Sequence, residues 1–389
     1  MEQNQEQSPR QASAFITKEV VCPLCQQPSP QRRLKRHIYQ EQDRDIDLRP
    51  RSYLWKAKGL AVPHPLIHFL WHCPVCRFTA WPSAWENPLR GIGVTLTKYR
   101  EALRPRPGED PGTAMSMGLL LKGLTWPQLD FFQGLRLHLL AVLELIMLKR
   151  GAGVQDSINL GRYCLRLSWL YRELDERPEL SPAAGQMRAL AQALAPHWPD
   201  APLDEDTATR QAVAYYEAGA AEGSAVEDVD ELCNLLLLIT RLHLKLRQWD
   251  PARLYWSKAF ELARNLEQRK QQMEGDYHQL QDRTRSDARA VAEMARQRQG
   301  ELTNAIVELD AKVRGMRFKV QQTRDLIQDE MDSLPPRPNP APGTAGAAGA
   351  AGKAGGQAGG GGKAGQQEEF LDLDLSLKPK KKRLRDLFK

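Results

Sequence analysis

The sequence contains no run of 18 uncharged apolar residues. Its nearest approach, residues 135–148, carries Arg136, His138 and Glu144 and reads as a buried helix rather than a membrane span. The start, MEQNQEQSPR, lacks a basic-then-apolar leader, so secretion is not expected and a cytoplasmic location is. Also missing are a Gly-rich phosphate loop, a Gly-x-Ser-x-Gly elbow and a His-Glu-x-x-His pair, and no other motif points to an enzyme. A mean hydropathy of -0.54 keeps part of the chain outside any core, and 389 residues exceed one ordinary domain.

Cysteine is sparse, with six residues, but four of them come in two pairs: Cys22 with Cys25 in CPLC, and Cys73 with Cys76 in CPVC. A Cys-x-x-Cys turn supplies two sulfurs from one tight loop, and two such turns close a tetrahedral zinc site with no open position. The expectation is one structural Zn²⁺ per chain rather than a catalytic ion. Pro23 and Pro74 suit the turns because they fix φ. A redox CxxC needs only one pair, and disulfides are disfavoured without a leader peptide. Cys164 and Cys233 sit singly in apolar helical patterns as core residues. His64, His68 and His72 recur every fourth residue, but Pro63 and Pro65 argue against an early helix. Residues 66–71 read as a strand, and no carboxylate accompanies the histidines, so their metal binding is left open.

Charge is uneven. Residues 18–106 hold 16 Lys/Arg against seven Asp/Glu, and residues 378–389 hold seven against one, within a formal net charge of +7. Four thiolates on one Zn²⁺ would leave about −2 at the site. Arg32, Arg33, Lys35 and Arg36, with Tyr39, Tyr53 and Trp55 nearby, allow an alternative reading: a nucleic-acid contact combining phosphate charge with base stacking.

A CPxC pair, that basic stretch, the acids Asp43, Asp45 and Asp47, and a Pro-rich approach to a second CPxC followed by Phe78 together resemble the bacterial family catalogued as domain of unknown function 2225. The helical stretch WLYREL at 169–174 fits as well. In that family a Gly commonly follows each knuckle, where this chain has Gln26 and Arg77. The resemblance covers roughly residues 16–265. It implies a bacterial, cytoplasmic protein with a zinc module and a repeat-like helical domain, and no activity.

From Thr125 onward the period is helical. Thr125 is expected to cap a helix stopping at Gly151, Asp156 a second through Glu176, and Ser181-Pro182 a third. Further helices are expected over 205–222 and 226–247, with Asp250-Pro251 opening another. This last pair resembles a tetratricopeptide repeat, with Ala252 and Ala259 at the crossing and Trp256 filling the gap between the helices; an ordinary α-hairpin is the alternative. Residues 302–334 carry a 3.5-residue period through Leu302, Ile306, Leu309, Val313, Met316, Val320 and Ile327. Lys312, Arg317, Lys319 and Arg324 would repel across a parallel homodimer, so a hairpin or an acidic partner helix competes with self-association.

The chain then becomes Pro- and Gly/Ala-rich over 335–367, a flexible tether with a typical reach of roughly 30 Å. Beyond it, Phe370, Leu371, Leu373 and Leu375 lie among acids, and Lys380, Lys381 and Lys382 precede Leu384, Leu387 and Phe388. A patterned end beyond an unpatterned tether reads as a docking peptide for a protein groove; peripheral membrane contact and nucleic-acid binding through charge alone rank below that. The expected fold class is mainly α, in six segments: disordered 1–15, a four-cysteine zinc-ribbon-like module at 16–82, a helical tetratricopeptide-like domain at 83–265, a coiled-coil helix or hairpin at 266–334, the linker at 335–367 and the docking motif at 368–389. The function that fits is a scaffold or adaptor binding protein partners.

Overall fold

The computed structural model describes residues 13–35, 37–57, 60–62, 64–86, 95–104, 108, 110–222, 228–286 and 289–333; of residues 283–286, 289–292, 294 and 295 it describes the backbone alone. The fold is mainly α. Three two-stranded antiparallel hairpins open it: β1 (Phe15–Val21) with β2 (Pro28–Leu34), β3 (Tyr39–Arg44) with β4 (Pro50–Trp55), and β5 (Trp71–His72) with β6 (Thr79–Ala80). Helices follow: α1 (Pro82–Glu86), α2 (Leu96–Ala102), α3 (Pro111–Leu121), α4 (Phe131–Ala152), α5 (Ser157–Glu176), α6 (Ser181–Leu194), α7 (Glu205–Ala221), α8 (Val229–Lys245), α9 (Trp249–Ser286) and α10 (Arg289–Asp332).

Five of these helices start the same way. Asp110, Asp130, Asp156, Asp204 and Asp228 each place a carboxylate on a backbone N–H of the first turn of α3, α4, α5, α7 and α8. The carboxylate satisfies an orphan donor and meets the positive end of the helix dipole. Asp156 thus caps α5 as its position suggested, whereas Thr125 does not cap α4. Pro127 disfavours a helical Trp126, and the start moves to Asp130. The stop moves as well, to Gly153 at φ 70°. Gly151 continues the helix, and a Cβ there would lie 2.9 Å from Cβ of Ala102, so its role is close packing with α2.

α4 is long and apolar enough by composition to cross a membrane, yet 78% of its most apolar window is buried inside the fold. It joins α5–α8 in one core with Leu139, Leu140, Leu160, Leu167, Leu170, Ala208 and Ile239. The strand expected over 66–71 is instead a one-turn 3-10 helix, Pro65–His68, followed by the two-residue β5. Leu66, Ile67 and Leu70 are all buried, a pattern that strand alternation cannot give. Ile67 wedges against α4 where Gly134 leaves room; a Cβ at Gly134 would lie 2.4 Å from that of Ile67.

The β3–β4 hairpin is fixed by charge. Asp47 has no exposed surface and binds Arg172 of α5 at 2.5 Å and Lys245 of α8 at 2.7 Å. Asp45 binds Arg49 at 2.7 Å and Arg172 at 2.6 Å, and Glu205 of α7 reaches Arg172 at 2.7 Å and Lys245 at 2.6 Å. The acids between the knuckles therefore anchor the hairpin to α5 and α8, whose cations Glu205 of α7 also holds.

α9 runs without a break through residues 265 and 266, where the change of sequence period falls. α8, α9 and α10 pack side by side. Trp256 of α9 donates its indole N–H to the Val320 carbonyl of α10 at 3.0 Å, and Lys319 reaches Asn234 of α8 at 3.0 Å. Val313, Met316 and Val320, the seam of the 3.5-residue period, are buried, and Met316 and Val320 meet Cys233, Leu236, Leu237, Ala259 and Ala263 of the same chain. The basic flanks that would clash in a parallel homodimer find carboxylates here: Arg317 binds Glu267 at 2.7 Å, and Lys312 approaches Asp228 at 3.7 Å.

Candidate metal centre

Each CPxC turn sits at the tip of a hairpin, and the two tips are built alike. The Cys22 N–H donates to the Gln27 carbonyl and the Gln26 N–H to the Cys22 carbonyl, both at 2.9 Å. In the second knuckle the Cys73 N–H donates to Phe78 at 2.9 Å and the Arg77 N–H to Cys73 at 2.7 Å. Such a turn forces a left-handed residue directly after its second cysteine. Gln26 (φ 63°) and Arg77 (φ 72°) hold those positions, where glycine would carry no Cβ penalty.

The tips face one another. Sγ of Cys22 lies 3.5 Å from that of Cys76, and Sγ of Cys25 lies 3.6 Å from that of Cys73. All four sulfurs fall within 4.8 Å of one another, and all six cysteines are free thiols. Tetrahedral sulfur ligation with metal–sulfur bonds of about 2.3 Å needs S···S separations of about 3.8 Å. The four residues therefore fit, and could hold, a metal ion. Without a cation they cannot all ionise. The hydrogen bond with Cys76 pulls the Cys22 thiol down to about 5, the same bond pushes Cys76 well above the thiol range, and burial pushes Cys73 up to about 11.

Cys22 and Cys73 are fully buried among Leu24, Trp71, Phe78, Trp85, Tyr99 and, from the end of α4, Leu148 and Ala152. Two polar braces beneath the tips had no signature in the cysteine spacing. The buried Gln31 side chain bridges the first and third hairpins, donating to the His72 carbonyl at 2.9 Å and accepting from its N–H at 3.2 Å. Glu144 of α4 accepts from the Thr79 N–H at 2.8 Å, and burial raises its carboxyl well above the usual range. The nearby Cys22 thiol adds to that upward push. The only sequence signal of Glu144 was an acid interrupting an apolar run.

The histidines diverge. His64 lies 3.7 Å from Glu173, the His68 ring rests on Phe15 at 4.7 Å, and the His72 Nδ1 pairs with the Thr79 hydroxyl at 2.9 Å. Burial lowers His68 and His72 to about 4. Among the described residues, the four cysteines are the group close enough to share an ion.

The basic stretch and the aromatics lie on different hairpins. The Arg32 guanidinium stands 3.5 Å above the Phe15 ring, and Arg33 and Lys35 are on or beside β2. Tyr39 packs on Tyr53 at 5.3 Å and on Trp55 at 5.2 Å within β3–β4. Ala252 and Ala259 are fully buried, and α8 packs on α9. Trp256, expected between those two helices, is half-buried on the α10 side. Arg36 lies outside the described residues, as do Phe370, Leu371, Leu373, Leu375, Lys380, Lys381, Lys382, Leu384, Leu387 and Phe388.

A family model described as an uncharacterized protein conserved in bacteria (DUF2225) matches residues 15–299. The match covers the metal centre and helical core and extends into α10. No curated protein and no solved structure matches.

Proposed function

The chain belongs to this bacterial family, and from that premise we propose a non-enzymatic cytoplasmic adaptor, with one structural zinc ion held by Cys22, Cys25, Cys73 and Cys76. Four sulfurs fill a tetrahedron and leave no position for a substrate, which supports a structural ion. Zinc is the natural occupant of an all-cysteine tetrahedron at the tips of two hairpins. Its work is to staple the hairpins to the end of α4.

The observation that carries the adaptor reading is a groove of about 310 Å³ between α9 and α10. Trp256 and Phe260 stack at 5.5 Å along it, and Phe260 is 47% exposed. Arg264, Arg317 and Arg324 line its rim. A half-buried and an exposed aromatic with three arginines, of which Arg317 pairs with Glu267 in the same lining, suit an acidic, apolar peptide segment of a partner protein. In this reading the tetratricopeptide-like α8–α9 pair displays the groove, and residues 368–389 supply a second, tethered contact.

The test is a pulldown with the full chain, a chain ending at residue 334, and the Trp256→Ala/Phe260→Ala variant, alongside metal analysis. The expected result is about one zinc per chain, with a partner lost from each altered chain. An unchanged set of partners in both altered chains would end the adaptor reading, and a metal-free wild type would end the zinc reading.

A further inference from the structure

Most buried cations in this protein are matched. Arg172, Arg49 and Lys245 meet carboxylates, and Arg136 caps the Leu120 and Lys122 carbonyls at the end of α3. Two arginines on α5 are not. Arg162 and Arg166 stand one helical turn apart and so share a face. Arg162 is 7% exposed; its Nη1 donates to the Asn159 Oδ1 at 3.0 Å, while Nε and Nη2 are buried with no partner among the described residues. Arg166 lies 4.5 Å from the Phe69 ring and 4.3 Å from the Trp169 ring, and its buried Nη1 has no partner either.

Other donors gather at the same place and are equally unmet. The Tyr216 hydroxyl on α7, the Tyr53 hydroxyl on β4 and the Trp169 indole N–H are buried without a partner among the described residues. The ring of Tyr216 comes within 3 Å of where a Cβ at Gly161 would stand, which sets it beside Arg162. Burial disfavours the charge on each arginine, Tyr216 is coupled electrostatically to both guanidiniums, and the nearby carboxylates (Glu41 acting on Arg166 and Tyr53, Asp156 on Arg162, Glu173 on Tyr53) leave the unpartnered guanidinium nitrogens unmatched. Glu173 Oε2 is the one carboxylate oxygen among the buried unmet groups, and it faces His64 at 3.7 Å.

A buried and a half-buried guanidinium, both with buried nitrogens that lack a partner and with further donors beside them, are destabilising unless an anion joins them. We propose that Arg162, Arg166, Tyr53 and Tyr216 form a binding site for a phosphate-type oxyanion. Two guanidiniums match the charge of a phosphate, about −1.5 to −2 at neutral pH. The guanidinium fork donates in parallel to phosphate oxygens, and the phenols supply further O–H donors. Arg166 and Tyr53 are only half-buried, which gives the anion a way in. This site is independent of the groove between α9 and α10.

The test follows thermal unfolding of the full, zinc-loaded chain in inorganic phosphate against chloride, at matched pH and ionic strength. The expected wild-type result is a saturable rise in Tm of about 5 °C or more at a hundredfold excess over half-saturation. Arg162→Gln is expected to lose the saturable rise. In chloride it should equal or exceed wild type, because it removes an unpaired charge, and in phosphate it should fall below. Arg188→Gln, an exposed arginine on α6, should keep the full response. A phenyl phosphate arm assigns the source: half-saturation below that of inorganic phosphate supports an organic ester, and the reverse supports the free ion. A linear rise that persists in Arg162→Gln is general salt exclusion and overturns the site. Should Arg162→Gln fail to fold, phosphorus NMR of phosphate with the wild type decides: line broadening relieved by excess unlabelled sulfate supports the site, and its absence overturns it.

Discussion

Asp47→Asn is the sharpest probe of how the fold is held together. The carboxylate has no exposed surface and accepts from Arg172 at 2.5 Å, Lys245 at 2.7 Å and the Arg49 N–H at 3.3 Å. Removing its charge leaves Lys245 with Glu205 alone, and Glu205 is itself pushed toward protonation, chiefly by burial. Breaking a buried pair from one side costs about 3–5 kcal/mol. Arg172 keeps Asp45 and Glu205, so the lower end applies. At about 2–4 °C per kcal/mol for a domain of this size, Tm should fall by about 6–12 °C. Circular dichroism melts would measure it, and limited proteolysis should show faster cutting within residues 39–55. Asp47→Asn/Lys245→Met should recover part of the loss, since the pair is coupled by about 0.5–3 kcal/mol. A Tm within about 2 °C of wild type would refute the reasoning. The same network sets an acid limit. Burial alone would raise Asp45, but the bonds from Arg51 and Arg49 outweigh it and the net shift is downward. A depressed carboxyl contributes stability above its ordinary value of 3.8 and loses it as pH falls through the lower folded value, so Asp45→Asn should flatten that acid limb.

Cys73→Ser should release the metal and loosen the hairpins over residues 16–82 while far-ultraviolet dichroism stays helical, because only the end of α4 packs against the sulfurs and most of the α4–α8 core forms a separate cluster; global unfolding would show that the two are one cooperative unit. Gln26→Gly and Arg77→Gly should each raise chelator resistance modestly. Relief of a left-handed Cβ at about 1–2 kcal/mol exceeds the entropic cost of glycine at about 0.5–1 kcal/mol, and a weaker hold on the metal in either variant would contradict the turn geometry.

What could be read from the sequence divides by range. The sulfurs were legible because a Cys-x-x-Cys turn is a local object whose geometry needs nothing from elsewhere. Asp156 was legible for the same reason, since a cap acts within one helical turn. Thr125 misled because its immediate neighbourhood, with Trp126-Pro127 inside it, displaces the helix start to Asp130. Periodicity reports that a helix has a buried face, but not what covers it. Val313, Met316 and Val320 therefore announced a seam, and only the fold supplied α8 and α9 as its partner. The acids at Asp45 and Asp47 are the extreme case. Their partners Arg172 and Lys245 lie 125 to 198 residues away, so nothing in their own stretch marks them as the anchor of a hairpin. Arg162 and Arg166 extend that lesson. Nothing local on α5 singles them out, and it is the packing around them, which leaves buried guanidinium nitrogens without a partner among the described residues, that points to a ligand.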